Sequence, residues 1–562
     1  TPTSRSSSAS RSSSPLTVMR ESAALAGATP VAAAPVTATA VAATAAGPYA
    51  VPQELVSLLA RRAVAGPRAG SFLSHTPMTG AELARLPLST QADVEAAVAQ
   101  ARVAQRGWAR WSIERRARVF LRLHDLVLHR QVQLLDLIQL ESGKARLHAF
   151  EEVADVALVA RHYARASAAY LRPTRTTGAF PVLTRAETVL HPHGVVGIVS
   201  PWNYPLTLPL GDSIPALMAG NAVVLRPDPA TSLTALFGAQ LLAEAGLPEG
   251  VLQVVLGPGA TIGQAVLELA DDLCYTGSTE VGRRVAVTAA QRLVPVSLEL
   301  GGKNTAYVRA DADLRRSVPG VLRAAFSSGG QLCIHAERIV LHESIADDFL
   351  ARFVPAVAAM RIGPALEFGW DMGSLLNQRQ LDRVRSHVDD AVAKGARVLV
   401  GGRARPDLGP FFHEPTVLDG VTAEMACRDE ETFGPVLSVY RVSSDEEAVA
   451  LANDTAYGLN ASIWTRDIPA GRSLARLIHA GTVNVNEGYA AAWGTTGAPM
   501  GGMGQSGLGR RHGAEGIRKY TESQTIAAQH VVPFAPFWGL DDRGFAAVVT
   551  GAFRVFKRMG LS

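Results

Sequence analysis

Apolar residues recur at helical spacing from about residue 90 to residue 171. They stand three and four positions apart, which predicts a run of helices. The period then changes, and short apolar or β-branched runs predict buried strands at "GVVGIVS", "AVVLRP", "VLQVVLG" and "DLCYTG". Helical stretches such as "SLTALFGAQLLAEAG" and "ATIGQAVLELA" separate these runs. Strands that alternate with helices predict βαβ units and a parallel sheet.

A second alternating series begins near residue 299. It runs through "RIVLHESIADDFLARFVPAVAAMRIG", "ARVLVGG" and "ASIWTRD", and the sequence contains no internal repeat. We therefore predict an α/β fold of two domains, with the boundary near "SLELGGKN".

The first fifty residues have a different composition. "SRSSSASRSSSP" is followed by an Ala-, Thr-, Pro- and Val-rich stretch with almost no charge, which predicts a disordered low-complexity tail. An Arg- and Ser-rich, acid-poor start is typical of an organelle transit peptide. The alternative is a dispensable extension upstream of Met19, which we favour because the stretch lacks clear amphipathic periodicity. The charged segment, the apolar segment and the cleavage site of a secretory signal do not appear in that order.

Composition narrows the class of protein. A chain of 562 residues with 48% hydrophobic and 19% charged residues is typical of a globular enzyme of two or three domains. The formal net charge is +4, and three arginines and one acid in the first fifty residues account for +2 of it. The body is therefore close to neutral, which gives no indication of nucleic-acid binding. No apolar run approaches the ~20 residues that span a bilayer.

The three cysteines are Cys274, Cys333 and Cys427, and they form neither a CxxC pair nor a Cys/His metal spacing. An odd number cannot make a complete disulfide framework. We therefore expect a reducing, cytoplasmic compartment and no metal site.

Two glycine-containing turns follow predicted strands and open predicted helices. Gly257, Gly259 and Gly263 follow "LQVVL" with the spacing G-x-G-x-x-x-G, one residue longer than the usual dinucleotide fingerprint, so a chance glycine-rich turn is an equal alternative. The second turn, in "YTGSTEVG", holds Gly277 and Ser278. Free N–H groups at helix N-termini favour phosphate, so both turns are candidate cofactor contacts.

Three residues are candidates for chemistry. Cys333 in "SSGGQLCIHAERI" lies in a glycine-containing loop that can approach a ligand closely, and a thiolate is a strong nucleophile. The other two cysteines are expected to be buried and structural. Glu299 in "LELGGKN" either faces solvent or acts as a general base, if burial raises its pKa. The amide of Asn203 in "SPWNYP" either stabilises an oxyanion or serves only the turn.

Taken together, these motifs resemble the aldehyde dehydrogenase superfamily from about residue 70 to residue 530. Five motifs stand in that family's order and at about its spacings: "PWNYP" at 201–205, "YTGSTEVG" at 275–282, "LELGGKN" at 298–304, "GGQLC" at 329–333 and "EETFGPV" at 430–436. The resemblance implies that Cys333 is the nucleophile, Glu299 the base, and Asn203 with the Cys333 N–H the oxyanion donors.

The resemblance also implies a nicotinamide cofactor and residues that contact it. Glu431 would hold the nicotinamide ribose, Phe433 would lie beside the nicotinamide, and Lys303 would support the loop. The remaining implied contacts are Gly277 and Ser278 at the pyrophosphate, and Trp202 and Arg226 along the cofactor groove.

The family's fold implies a domain organisation. It has a Rossmann-like cofactor domain, here over 51–298 with an arm inserted at about 172–193, and a catalytic α/β domain over 299–500. Residues 501–532 would return to the cofactor domain and supply an oligomerisation strand, and 533–562 would form a C-terminal extension. The arm implies a homo-oligomer, either a dimer or a tetramer.

Finer stretches resemble the subgroup named NADP-dependent succinate-semialdehyde dehydrogenase. They are "GTVNVNEGYAAAWGTTGAPMGGMGQSGLGRRHGAEGIRKYTESQTIA" and "ARPDLGPFFHEPTVLDG". In "RPDP", Arg226 offers a forked donor for phosphate, and Pro229 stands where NAD-preferring members often have a glutamate. NADP is therefore expected to serve at least as well as NAD, with the Asp228 side chain turned outward.

Three positions depart from the pattern of better-studied semialdehyde enzymes. Gly211 and Ser327 stand where those enzymes have arginines for the distal carboxylate, which leaves a general aldehyde dehydrogenase as the alternative. Arg511 replaces the acid of the usual "GRE", which argues against a second-acid proton relay.

Two further classes are less consistent with the residues. A coenzyme-A-acylating dehydrogenase tends to lack the glutamate that Glu299 supplies. A catalytically silent protein on the same fold would not need Cys333, Asn203 and Glu299 intact.

Overall fold

The structure is a computed structural model that describes residues 49–178, 180 and 183–560. The predicted tail over 1–50 therefore lies outside the described residues, apart from its last two positions.

The strands and helices follow one another in the predicted alternation. The strands of the described residues are β1 (Gly70–His75), β2 (Glu82–Leu88), β3 (Thr174–Thr177), β4 (Thr184–Pro192), β5 (Val195–Val199), β6 (Ala222–Arg226), β7 (Leu252–Val254), β8 (Asp272–Thr276), β9 (Val296–Glu299), β10 (Asn304–Val308), β11 (Ala336–His342), β12 (Arg397–Val400), β13 (Thr416–Asp419), β14 (Val436–Val442), β15 (Asn460–Trp464), β16 (Thr482–Val485), β17 (Gly507–Leu508) and β18 (Thr521–Gln529). The α-helices of the same residues are α1 (Gln53–Ala60), α2 (Gln91–Ala109), α3 (Ile113–His129), α4 (Gln131–Ser142), α5 (Arg146–Tyr170), α6 (Thr207–Ala219), α7 (Ser232–Glu244), α8 (Gln264–Leu269), α9 (Thr279–Arg292), α10 (Leu314–Phe326), α11 (Glu343–Ala358), α12 (Gln378–Ala393), α13 (Ala426–Asp429), α14 (Asp445–Asn453), α15 (Ile468–Ala475), α16 (Ala490–Trp493), α17 (Gly513–Arg518) and α18 (Asp542–Arg558).

Within residues 183–560, one large sheet has six strands in the order β17-β9-β8-β5-β6-β7. Strands β5 to β9 pair in parallel, and the short β17 adds antiparallel to β9. β5, β6 and β8 are buried along their whole length, as expected for a parallel sheet that helices cover on both faces. The chain order reverses between β5 and β8, and such a switch point opens a crevice at the carboxyl ends of the strands.

The same part of the chain forms a second large sheet of seven strands, in the order β12-β13-β14-β11-β10-β15-β16. All its pairs are parallel except β12 with β13. The chain passes from the six-stranded to the seven-stranded sheet between Glu299, the last residue of β9, and Asn304, the first of β10. The predicted α/β class with parallel sheets is confirmed, while the limits of the domains stay a prediction.

Helices α2 to α5 form the helical run that the sequence predicts. The apolar faces of α3 to α5 lie in one buried cluster with β5 and β6, in which Phe120, Leu123 and Val156 are inaccessible to solvent, whereas most of the apolar face of α2 lies in a second cluster. Helix α5 packs against both α3 and α6, and it carries polar side chains to the site described below.

A third, antiparallel sheet joins β3, β4 and β18 in the described residues. These strands come from the two segments of the predicted arm, and β18 pairs with β4 from Thr521 opposite Pro192 to Gln529 opposite Thr184. Most of β18 is exposed, and its role in oligomerisation stays a prediction. Beyond it, the C-terminal extension contains α18. Among the helices described, none combines the length and the apolar character needed to cross a bilayer.

Candidate active site

A large cleft that is open to solvent lies at the carboxyl ends of β5, β6, β8 and β9. Most of the predicted site residues line it: Trp202, Asn203, Arg226, Gly277, Ser278, Glu299, Cys333, Glu431 and Phe433. Gly257 and Gly263 lie instead against the side chain of Arg226, and Arg226 Nε donates to the Gly257 carbonyl at 2.9 Å. The structure thus brings together residues up to 231 positions apart in the chain, since Trp202 and Phe433 pack edge to face at 5.6 Å.

A small cavity adjoins the large cleft at Cys333. Cys333, Asn203 and Leu208 line both spaces. The rest of the small cavity is largely apolar and aromatic, with a few polar side chains: Asp155, Tyr204, Thr207, Gly211, Leu332, Ile334, Trp493, Met500, Arg511 and His512. Cys333 is therefore reachable from two directions.

The loop that carries Cys333 owes its shape to left-handed backbone conformations. Ser328, Gly329 and Gly330 have φ of +53°, +65° and +67°. A Cβ on Gly330 would lie 2.1 Å from the Gly434 carbonyl oxygen, so glycine is required there by both conformation and space. Asn304 Nδ2 donates to the Cys333 carbonyl at 2.7 Å and so ties the loop to the start of β10.

Burial raises the pKa of the Cys333 thiol to about 12. The cation of Arg511 opposes this rise, whereas the carboxylates of Glu299 and Glu431 add to it. The thiol in this state is neutral, and its reactivity depends on positive charge brought close to the sulfur.

Two hydrogen-bond donors next to Cys333 lack acceptors among the described residues. Asn203 Nδ2 donates one hydrogen to the Gln331 carbonyl at 3.0 Å, which leaves the second free. The backbone N–H of Cys333 donates to no backbone carbonyl of the described residues. Paired free donors beside a nucleophile are the arrangement that stabilises an oxyanion.

A buried ion pair holds the turn that carries Asn203. Lys144 Nζ donates to the Asn203 carbonyl and to Glu152 Oε1, at 2.6 Å in both cases. Glu152 Oε2 in turn accepts from the backbone N–H groups of Leu206 and Thr207, at the start of α6. This pair was not predicted, although "ESGKARLHAFEE" places both residues next to the apolar face of α5.

Glu299 is 4% exposed, and its Oε1 has no hydrogen-bond partner among the described residues. Burial raises its pKa to about 7, while the cations of Arg511, Lys519 and Arg510 oppose the rise. The residue lines the large cleft at the end of β9. A carboxylate with such a pKa and an unpartnered oxygen is suited to accept a proton from water near neutral pH.

The loop with Glu431 and Phe433 is anchored by a second buried pair. Glu337 accepts from Lys303 Nζ and from the backbone N–H groups of Thr432 and Phe433. Burial alone would raise the pKa of Glu337, but Lys303 lowers it to about 2, so the carboxylate is ionised. Lys303 Nζ also donates to the Glu430 carbonyl at 2.8 Å, and its support of the loop stays a prediction. Glu337 was missed because an acid inside "HAERIV" resembles any strand residue.

Glu431 lies where its carboxylate faces the glycines of "LELGGKN". Its Oε1 accepts from the Gly302 N–H at 2.9 Å, and a Cβ on Gly301 would lie 2.5 Å from its Oε2. The carboxylate therefore reaches into the cleft only because a glycine faces it. Acceptors of this kind suit ribose hydroxyls.

The phosphate-binding candidates lie on the opposite wall. Ser278 is the N-cap of α9, and its hydroxyl accepts from the Val281 N–H. Arg226 is 5% exposed at the end of β6, with its guanidinium next to Gly259. A helix N-terminus, an arginine and a ribose-facing carboxylate in one cleft fit a phosphorylated dinucleotide.

The expectation for Asp228 is wrong. Its side chain lines the large cleft, and its Oδ2 lies 3.9 Å from Arg226 Nη1. The cause is local, because Asp228 Oδ1 caps the turn Pro229–Thr231 by accepting from the Ala230 N–H at 3.0 Å.

Arg511, which replaces the expected acid, pairs with an acid from elsewhere in the chain. Its Nε and Nη2 donate to the two carboxylate oxygens of Asp212, at 3.0 and 2.6 Å. Nη2 also donates to Thr276 Oγ1. Gly211 and Ser327 stand where better-studied semialdehyde enzymes have arginines for the distal carboxylate. A Cβ on Gly211 would meet open space, and Ser327 is buried.

Groups of three or more His, Cys, Asp and Glu side chains that could hold a metal ion are absent from the part of the chain that the structure describes. The three cysteines are free, with Cys274 and Cys427 buried as expected.

Comparisons with known proteins agree with this geometry. A family model described as "Aldehyde dehydrogenase family" matches residues 65–526. A Mycobacterium ulcerans (strain Agy99) protein, provisionally named succinate-semialdehyde dehydrogenase (NADP(+)) 2, is 52% identical over 462 residues, or 82% of this chain and 89% of that protein. A crystal structure of an Escherichia coli NADP-dependent enzyme has 31% identity and a TM-score of 0.80, covering 84% of this chain and 99% of that one. A succinate-semialdehyde dehydrogenase from Burkholderia pseudomallei has 34% identity and a TM-score of 0.79, covering 83% and 96%.

Proposed function

This chain belongs to the aldehyde dehydrogenase family, and from that premise we propose that it oxidises an aldehyde to the carboxylic acid with Cys333, Glu299 and Asn203 as its catalytic residues. One observation carries the proposal: Cys333 lines both the large cleft and the small cavity. A nucleophile between the two spaces can hold the aldehyde carbon next to a hydride acceptor bound in the large cleft.

The first half of the reaction takes place on Cys333. The thiol releases its proton to water, the Sγ thiolate adds to the carbonyl carbon, and the carbonyl oxygen becomes an oxyanion. The second Nδ2 hydrogen of Asn203 and the Cys333 N–H stabilise that charge. NADP, when bound, supplies the acceptor for the hydride that leaves the same carbon. Loss of the hydride leaves a thioester on Cys333.

The second half depends on Glu299. Its ionised carboxylate takes a proton from a water molecule, and the resulting hydroxide adds to the thioester carbon. The C–S bond then breaks, the Cys333 thiolate leaves, and the carboxylic acid is released. The unpartnered Oε1 and the pKa of about 7 support this role.

We infer NADP as the cofactor because two features favour a 2′-phosphate. Arg226 offers a guanidinium beside the cleft, and Pro229 provides no carboxylate that would repel a phosphate. The names of the Mycobacterium ulcerans and Escherichia coli proteins, which refer to NADP, support the same choice. NAD is the alternative, since Asp228 brings a negative charge to the same rim.

For the substrate we propose succinate semialdehyde, on the strength of the names of the two relatives and the small size of the cavity. One observation favours a general aldehyde dehydrogenase instead. Leu332, Ile334, Trp493 and Met500 make much of the cavity apolar, and the expected arginines are missing.

The test is a panel of aldehydes with both cofactors on the purified protein, followed by the absorbance of the reduced cofactor. We expect succinate semialdehyde with NADP to give the highest kcat/KM, without coenzyme A. An unsubstituted aliphatic or aromatic aldehyde with a kcat/KM more than about tenfold higher would establish the general dehydrogenase. A strict requirement for coenzyme A would establish the acylating class.

We also infer a cytoplasmic homo-oligomer. Three free cysteines support a reducing compartment, and the exposed β18 at the edge of the third sheet supports association between copies. Light scattering on the purified chain distinguishes a monomer, a dimer and a tetramer.

A further inference from the structure

Two cations and one acid from distant parts of the chain surround the base Glu299. Arg511 holds Asp212 at two points and also donates to Thr276 Oγ1. Thr276 is the register partner of Glu299 in the parallel pair of β8 and β9. Adjacent parallel strands lie about 4.8 Å apart, so the guanidinium group of Arg511 lies one strand away from the Glu299 side chain.

The second cation reaches the same face of β9. Lys519 Nζ donates to Ser297 Oγ at 3.0 Å and lies 3.7 Å from Asp212 Oδ1. Ser297 and Glu299 are two positions apart in one strand, so their side chains point to the same side of the sheet. Asp212 therefore bridges Arg511 and Lys519 beside Glu299.

This cluster is unbalanced in charge. The side chains of Arg511 and Lys519 are 12% exposed and that of Asp212 is 2% exposed, so water screens them little. Two positive charges and one negative charge leave a net +1, which an ionised Glu299 brings to zero. Other charged or titratable groups near Glu299 are Arg510, which donates to the Gly502 and Gly509 carbonyls, and Cys333 and Glu431, which line the same cleft. Asp155, Cys274 and His512 lie close to Arg511 and Asp212.

We propose that Arg511, oriented by Asp212, is a positioning residue whose charge keeps enough of Glu299 ionised for it to act as the base at neutral pH. The inference rests on the proposed role of Glu299 in thioester hydrolysis. Burial alone would keep the Glu299 carboxyl protonated. Among the cations that oppose this, Arg511 has the largest effect. An arginine in place of the family's usual acid thus has a function of its own.

The experiment follows turnover against pH in variants that change the charge of the cluster in opposite directions. A pre-steady-state burst of reduced cofactor separates hydride transfer from the later linear phase, which reports thioester hydrolysis. Arg511→Gln should move the midpoint of the linear phase to higher pH by at least about half a pH unit. Asp212→Asn should move it to lower pH, because the cluster then carries +2.

The matched control is Arg511→Lys, which keeps the charge and should keep the wild-type midpoint. A merely structural role for Arg511 predicts a lower rate at every pH with the midpoint unchanged. That result, or shifts of Arg511→Gln and Asp212→Asn in the same direction, would overturn the inference. If Arg511→Gln does not fold, Lys519→Gln removes the other positive charge and must shift the midpoint upward.

Glu299→Gln separates this inference from the proposed function. If Glu299→Gln loses the linear phase but Arg511→Gln does not shift the midpoint, only the role of Arg511 is refuted. If Glu299→Gln turns over at the wild-type rate, the base itself is wrongly assigned and the inference fails with it.

Discussion

Lys144 donates a 2.6 Å hydrogen bond to the backbone carbonyl of Asn203, whose side-chain amide faces Cys333. The ammonium group is 2% exposed and also pairs with the fully buried Glu152. Lys144 therefore fixes the oxyanion donor from behind, without lining either the cleft or the small cavity.

We expect Lys144→Met to reduce both stability and activity. It leaves Glu152 as an uncompensated buried carboxylate, and breaking such a pair costs about 3–5 kcal/mol. The Asn203 turn loses its anchor, and a displaced oxyanion donor should lower kcat at least about tenfold. Thermal unfolding and steady-state kinetics measure the two effects.

The control is Lys394→Met, at the residue that follows α12. Lys394 pairs with Asp390 one turn away and is 41% exposed, so its loss should cost no more than about 1 kcal/mol. If Lys144→Met behaves like Lys394→Met, the anchoring role of Lys144 is wrong.

The cysteines give a second prediction. Cys333→Ala should abolish aldehyde oxidation, because only a thiol in contact with both spaces can form the thioester. Cys427→Ala should retain activity, since the side chain is buried among Leu381, Val384 and Val436, away from the large cleft and the small cavity. Cys274 is a less clean control, because its thiol contacts Asp212. Activity in Cys333→Ala would refute the nucleophile.

Sequence motifs located the large cleft because they mark strand ends. "PWNYP" follows β5, "YTGSTEVG" spans the end of β8, and "LELGGKN" spans the end of β9, so residues at three adjacent strand ends had to meet. The strand runs were predicted for the same reason: parallel strands buried on both faces are continuous apolar segments.

The supporting pairs could not be predicted in the same way. Arg511 and Asp212 are 299 positions apart, while Lys303 immediately precedes β10 and Glu337 lies in β11. A charged residue inside an apolar segment has no sequence signal that names its partner. The direction of the Asp228 side chain could not be predicted either. The flanking prolines indicated a rigid backbone, but the side chain is directed by its hydrogen bond to the Ala230 N–H.

The third prediction concerns the pH dependence of turnover. Burial raises the pKa of Glu299 to about 7, and only the ionised carboxylate accepts a proton. Where hydrolysis limits the rate, turnover should therefore be low at acidic pH and rise as the pH increases through about 7. Glu299→Gln should still give a burst of reduced cofactor, while the linear phase slows about 10²–10⁴-fold. An unchanged linear phase would exclude Glu299 as the base.

The fourth prediction concerns the loop with Glu431 and Phe433. Glu337→Gln removes the negative charge that Lys303 neutralises and weakens the bonds to the Thr432 and Phe433 N–H groups. The loop should loosen, and the KM for the cofactor should rise about tenfold or more, a loss typical of a charged hydrogen-bond partner. Glu424→Gln, at an exposed residue before α13, serves as the control. Equal cofactor KM values in the two variants would contradict the anchoring role.

The last prediction concerns cofactor choice at the rim of the large cleft. Asp228 Oδ2 lies 3.9 Å from Arg226 Nη1, so its charge competes with a 2′-phosphate for the guanidinium group. Asp228→Asn removes the charge, and asparagine can still cap the turn at Ala230. The ratio of kcat/KM for NADP to that for NAD should therefore rise about threefold or more, because a like charge a few ångströms from the phosphate is lost.

Pro229→Glu should shift the ratio in the other direction. Pro229 is the first residue of the turn Pro229–Thr231, where a glutamate is compatible with the backbone, and its carboxylate can accept from the ribose hydroxyls of NAD while it repels the phosphate of NADP. Asp125→Asn, on the exposed face of α3, controls for a change in net charge alone and should leave the ratio as in the wild type. A wild-type kcat/KM that strongly favours NAD would refute Arg226 as the phosphate partner, because its guanidinium would then be held by Asp228 rather than available to the cofactor.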